Sequence, residues 1–152
     1  MRKIITVTPT IDTAPYSSGD RVGGPLTVIE SGRFSSQVVI LENLVISDQS
    51  DQKAAMQIFF FDDNPSGATL TNNAAAAFTA ADIAKIAGRL AVAGADFVTL
   101  PTGMATASYK NLGLIVKPAA DGKIYLAMVT TGTPTYAVGA LTLKFGFSTS
   151  LN

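Results

Sequence analysis

The sequence predicts an all-β fold, an antiparallel sandwich or jelly-roll-like barrel with one short α-helix, and three observations lead there. Thr, Val, Ile, Leu and Phe recur in short runs separated by Gly, Pro, Asp, Asn or Ser. The last run alternates plainly, with Leu141, Leu143, Phe145 and Phe147 on one face and Thr142, Lys144, Gly146 and Ser148 on the other. At least seven such runs share 152 residues, which suits a closed or two-layered sheet better than an open one. Composition is even along the chain and no internal repeat interrupts it, so residues 1–152 read as a single β-sandwich domain, long enough to bury roughly 70% of its unfolded surface.

In chain order the expected strands are 3–8, 26–30, 37–47, 55–62, 112–117, 123–130 and 140–148. Between the first two lies "PYSSGDRVGGPL". Its glycines at 19, 23 and 24 precede Pro25 and a β run, whereas a phosphate loop needs Gly-Lys-Ser/Thr opening a helix, so it reads as a turn. Asp20 and Arg21 within it are the charged candidates for a partner contact, weighed against a local pair. In "AAMQIFFFDD", Met56, Ile58 and Phe60 share one face while Phe59 and Phe61 load the other. Both faces want burial: either the strand is central and covered within the monomer, or Phe59 and Phe61 meet a partner, and periodicity does not distinguish the two.

"FTAADIAKIAGRLAVAG" predicts the helix, over about residues 79–92. Thr79 is placed as N-cap with Asp82 three residues on, Ile83, Ile86, Ala87 and Leu90 form a stripe, and Gly94 suits the end. The tract "NNAAAAF" before it reads as a linker crossing between two groups of strands.

Chemistry is scarce. The chain has neither cysteine nor histidine, which removes disulfides, thiolate metal sites, Ser-His and Cys-His nucleophiles and most zinc sites. "DDNPSG" at 62–67 offers hard-cation ligands in Asp62, Asp63 and Asn64, but lacks the distal Glu of a calcium loop and makes a good turn. Asp48 and Asp51 read as a solvated loop, and Tyr136 as a turn residue bonded through its hydroxyl. No catalytic residue, cofactor or metal is expected. Eleven basic residues balance eleven acidic ones with no cluster beyond Arg2-Lys3, so a nucleic-acid partner is not expected. No window approaches 18 apolar residues, and Thr6 and Thr8 interrupt the N-terminus before a signal core forms, so neither membrane nor export is expected. Only 14% of residues are charged and mean hydropathy is +0.33, which points to a surface partly covered by other chains.

Taken together, "YSSGDRVGG" from Tyr16, "IFFFDDNPSG" from Ile58, "AFTAADIAKIAGRL" from Ala77 and "IYLAMVTTGTPTYAVGALTLKFGF" from Ile124 resemble a family of small virion proteins of tailed bacteriophages. That pattern opens with a Tyr-x-x-Gly-Asp-x-x-Gly-Gly turn, continues with an aromatic strand ending at Asp and a Phe-led helix, and closes on two strands joined by a Thr-Pro turn. The resemblance implies a non-enzymatic structural protein, of the head-decoration or cement type. Such a protein is made in the host cytoplasm and binds the capsid exterior as a homotrimer, with the major capsid protein as partner. The alternative is a tail or fibre module that recognises a host surface, with carbohydrate as one ligand class; it would present an exposed aromatic platform.

Overall fold

The structure, a computed structural model, describes residues 2–29 and 37–149. Among these residues ten strands run β1 (Arg2–Val7), β2 (Arg21–Ile29), β3 (Val39–Asp48), β4 (Met56–Phe61), β5 (Ile86–Val92), β6 (Val98–Thr99), β7 (Ala105–Tyr109), β8 (Leu114–Val116), β9 (Lys123–Thr130) and β10 (Leu141–Thr149). One α-helix, α1 (Ala80–Ile83), lies between β4 and β5. Every pairing is antiparallel. One sheet has the order β1-β10-β3-β7-β6, with β8 beside β7 along the same edge of β3, and the other has the order β2-β9-β4-β5. The chain changes sheet at β1 to β2, β2 to β3, β3 to β4, β5 to β6, β8 to β9 and β9 to β10, the winding of a jelly roll. Glu30, the expected end of the second strand, lies outside the described residues.

The core forms where the inner faces meet. From β10 come Leu141, Leu143, Phe145 and Phe147, as alternation predicts, and from β9 come Ile124, Leu126 and Met128. In β3 the inward residues are Val39, Leu41, Leu44 and Ile46, a sequence that breaks strict alternation. A bulge accounts for it: Gly146 faces Asn43 while Phe147 faces Leu41, so the extra residue Glu42 restores the phase. Phe60 of one sheet meets Phe145 of the other edge-on, with ring centres 6.1 Å apart, tying the layers together.

The helix is the largest departure from expectation. Its start is as predicted: the Thr79 hydroxyl accepts from the Asp82 backbone N–H at 3.3 Å, and the Asp82 carboxylate accepts from the Thr79 N–H at 3.1 Å. It ends after one turn, and residues 86–92 form β5 instead, paired along β4 from Phe61↔Ile86 to Met56↔Val92. The same residues carry a period of two, with Leu90 and Val92 turned inward and Arg89 and Ala91 exposed. Gly88 weakens a helix, and the ladder offered by β4 overrides local preference. Gly94 accordingly opens a short 3₁₀ turn rather than closing the helix. The sequence, rich in Ala, Thr and Ser there, does not predict β6 and β7 as strands.

The connection from β4 to β5 stays with its own sheet, correcting the expectation that "NNAAAAF" crosses between strand groups. Thr69 and Ala77 exchange backbone hydrogen bonds of 2.9 and 3.2 Å. The tip reaches the start of β2, where the Arg21 N–H donates to Ala74 O (2.8 Å) and the Asn73 N–H to Arg21 O (2.9 Å).

Candidate functional site

The glycine-rich turn is built for its own chain. The tip of "PYSSGDRVGGPL" is closed by the Ser17 N–H donating to the Asp20 carboxylate at 2.7 Å. Beyond it β2 bulges, since Val22 faces Met128 but Leu26 already faces Leu126. Gly23 sits in the bulge at φ +80°, and a side chain there would meet Pro9 Cβ at 2.8 Å, so the close approach that glycine permits is intramolecular. A bulge takes carbonyls out of the ladder, and Arg21 answers them. Its guanidinium donates to the carbonyls of Val22, Gly24 and, at 3.1 Å, Met128. Arg21 is 0% exposed, and burial pushes its pKa down to about 10, still charged at neutral pH. Expected at the surface, this arginine is instead the internal fastener of the bulge; Asp20 is half-buried and occupied by the turn.

Phe59 and Phe61 are likewise accounted for within the monomer. Phe61 is fully buried and Phe59 half-buried, both packed on Phe78 with ring centres 6.0 and 5.6 Å away. They belong to a second apolar cluster on the outer face of the β2-β9-β4-β5 sheet, with Tyr125 and Ala127 from β9 and Leu70 and Phe78 from the β4–β5 connection. The central-strand alternative read from the sequence is the one the fold adopts.

The carboxylates are spent on turns. Asp48 is buried and accepts from the backbone N–H groups of Ser50 and Lys53 at 2.9 Å each, so it is a turn staple rather than a solvated side chain. Asp51 pairs with Lys53 at 3.6 Å. Beside "DDNPSG", Lys85 donates to the Asn64 carbonyl at 2.6 Å and approaches Asp63 at 4.0 Å, so the chain's own ammonium sits against this turn. Asp96 accepts from the Ala93 N–H and from the Tyr109 hydroxyl (2.6 Å); Asp121 accepts from the Lys123 N–H and from the Tyr125 hydroxyl (2.7 Å). Those tyrosine hydroxyls hold the Asp96 and Asp121 pKa values below the ordinary carboxylate value. Among the described residues no three Asp or Glu side chains gather as a metal set, and no helix is long and apolar enough to cross a membrane.

The tyrosine that fastens a turn is Tyr16, not Tyr136. The Tyr16 hydroxyl accepts from the Asp12 N–H and donates to Asn72 Oδ1, each at 2.8 Å, and the same Asn72 oxygen accepts from the Gly23 N–H at 2.8 Å. Tyr136 packs edge-on against it, 6.1 Å between ring centres, and its buried hydroxyl has no hydrogen-bond partner among the described residues.

Apolar surface gathers at one end of the sandwich. Leu141, Asp48, Ala105 and Thr99 lie side by side across four strands, so the loops before β10, after β3 and between β6 and β7 all emerge at that end. They carry exposed Val138 (82%), Leu100 and Met104, with Val98 at the start of β6. This loop-borne apolar end offers one surface for contact with another molecule. No sequence pattern marked it, because isolated apolar residues in loops have no period.

No protein-family model and no curated protein sequence matches the chain. Among solved structures, it is similar to a chain of the X-ray structure of tomato aspermy virus, with a TM-score of 0.51 at 11% identity, over 100% of this chain and 78% of that one. A chain of the infectious bursal disease virus VP2 subviral particle matches at a TM-score of 0.23 and 13% identity, over 97% of this chain and 40% of that one, too slight to bear on the fold. What the chain shares with the tomato aspermy virus structure is its architecture, two antiparallel sheets wound as a jelly roll.

Proposed function

We propose that the chain is a non-enzymatic structural protein of a virus particle, a capsid decoration or cement protein of a tailed bacteriophage that binds the shell as a homotrimer. The observation that carries this reading is the fold likeness, over the full chain, to a chain of a virus structure. The jelly roll serves capsids and lectins alike, so the fold alone does not choose a function. Two further features support the particle reading. The acids that an enzyme would need hold turns, and the exposed large apolar side chains among the described residues include no aromatic, which disfavours a sugar-binding platform.

The physical account is contact repeated by symmetry. Apolar loop ends such as Val138 and Met104 gain roughly 25 cal/mol per Å² of apolar surface buried, before association costs. A trimer touching several shell subunits at once multiplies a modest contact through effective concentration. Purified protein added to particles lacking it tests this. Saturable binding of a trimeric species, with the shell surviving to higher temperature, is expected; a monomer that neither binds nor protects the shell would contradict it.

A further inference from the structure

β5 ends its sheet. Among the described residues it is paired to β4 on one side only, so the other side of Ile86–Val92 presents unpaired N–H and C=O groups. Beside it, between β5 and β8, runs an open groove of about 470 Å³. Its lining is apolar, with Leu41, Leu90, Leu112, Leu114 and Ile115, the last 62% exposed. One charge borders it: Arg89, exposed, whose guanidinium makes no hydrogen bond or ion pair among the described residues.

We propose that the β5 edge and this groove take up an extended segment of another polypeptide by strand addition, a segment of alternating apolar residues with an acidic side chain set against Arg89. Unpaired backbone groups along a seven-residue strand call for a strand, and the groove calls for apolar side chains on alternate positions. The charge selects the partner. A second copy paired antiparallel through the centre of β5 would set Arg89 opposite, or diagonal to, its own mate, and like charges so placed repel. A foreign segment bearing Asp or Glu meets no such repulsion. This inference stands apart from the virion reading and survives its failure.

The probe is a capped heptapeptide alternating threonine and valine around a central aspartate, with its central-lysine counterpart, followed by amide exchange and NMR shifts on the whole protein. The aspartate peptide is expected to slow exchange across β5 about tenfold at saturation and to bind about fivefold more tightly than the lysine peptide. Arg89→Glu, at an exposed position, reverses that order, and Ile115→Asp weakens both peptides. Protection without charge preference would overturn the acidic partner. Absence of protection on β5 at millimolar peptide would overturn strand addition. Protection in the free protein that grows with its own concentration would assign the edge to a second copy and overturn the proposal as well.

Discussion

On the outer face of the β2-β9-β4-β5 sheet, Ala127 lies between Phe59 and the neighbouring strand, and Phe61 beside Tyr125, under Leu70 and Phe78. On the outer face of the other sheet, the row Thr6, Lys144, Val45 and Ser108 crosses four strands with Thr6, Lys144 and Ser108 exposed. Both sheets bury their inner faces in the same core, so the contrast is in what lies outside. An aromatic outer row requires a cover, which the β4–β5 connection supplies by pairing back on itself and docking at β2; a hydroxyl and ammonium row is satisfied by water.

The contrast predicts unequal sensitivity. Phe61→Ala, emptying the covered face, should cost about 3 to 5 kcal/mol, while Lys144→Ala on the bare face should stay within about 0.5 kcal/mol, both read from urea unfolding. Equal effects would dissolve the distinction. Next in size is Arg21→Met, which keeps apolar bulk but leaves bulge carbonyls unanswered; a loss of about 1 to 3 kcal/mol is expected from urea unfolding. Thr79→Ala removes the cap at the return of the connection and should lower stability by about 1 kcal/mol, and Thr79→Ser should restore most of it.

The pH response is the smallest effect and comes from the same turns. Asp82 is held below the carboxylate value of 3.8 mainly by the Thr79 hydroxyl, and Asp96 and Asp121 by tyrosine hydroxyls. Their stabilisation is present above pH 3.8 and is lost as pH falls through the lowered values. Tyr125 is raised from 10.0 to about 12 by its bond to Asp121, and Tyr109 and Tyr136 are raised mainly by burial. Their contribution is full below pH 10.0 and is lost as pH rises toward the folded values, while Arg21, lowered in the fold, adds a smaller opposite slope. With no histidine, Tm should be level through pH 5 to 8; a step near pH 6.5 would contradict this account.

Much of the fold was legible because burial leaves a period. β9 coincides with its expected limits, and β10 and β4 lie within a residue or so of theirs. The sheet order was not legible, since alternation names a buried face without naming the neighbour. β5 was misread because Ile86, Ala87 and Leu90 satisfy a helical stripe as well as Leu90 and Val92 satisfy a strand. The site was less legible still. Arg21 looks like a surface charge until the bulge at Gly23 supplies carbonyls for it, and Phe59 and Phe61 look like a docking face until Phe78 returns over them. Val138 and Met104, in loops, gave no signal at all.

The most direct measurement of the central claim, the proposed decoration role, is the copy number of this chain relative to the major capsid protein in purified virus particles, by quantitative mass spectrometry. A decoration protein should be present in hundreds of copies per particle, in a fixed ratio that matches threefold lattice positions. A dozen copies or fewer, or none, would contradict the account and move the protein to the tail or out of the virion.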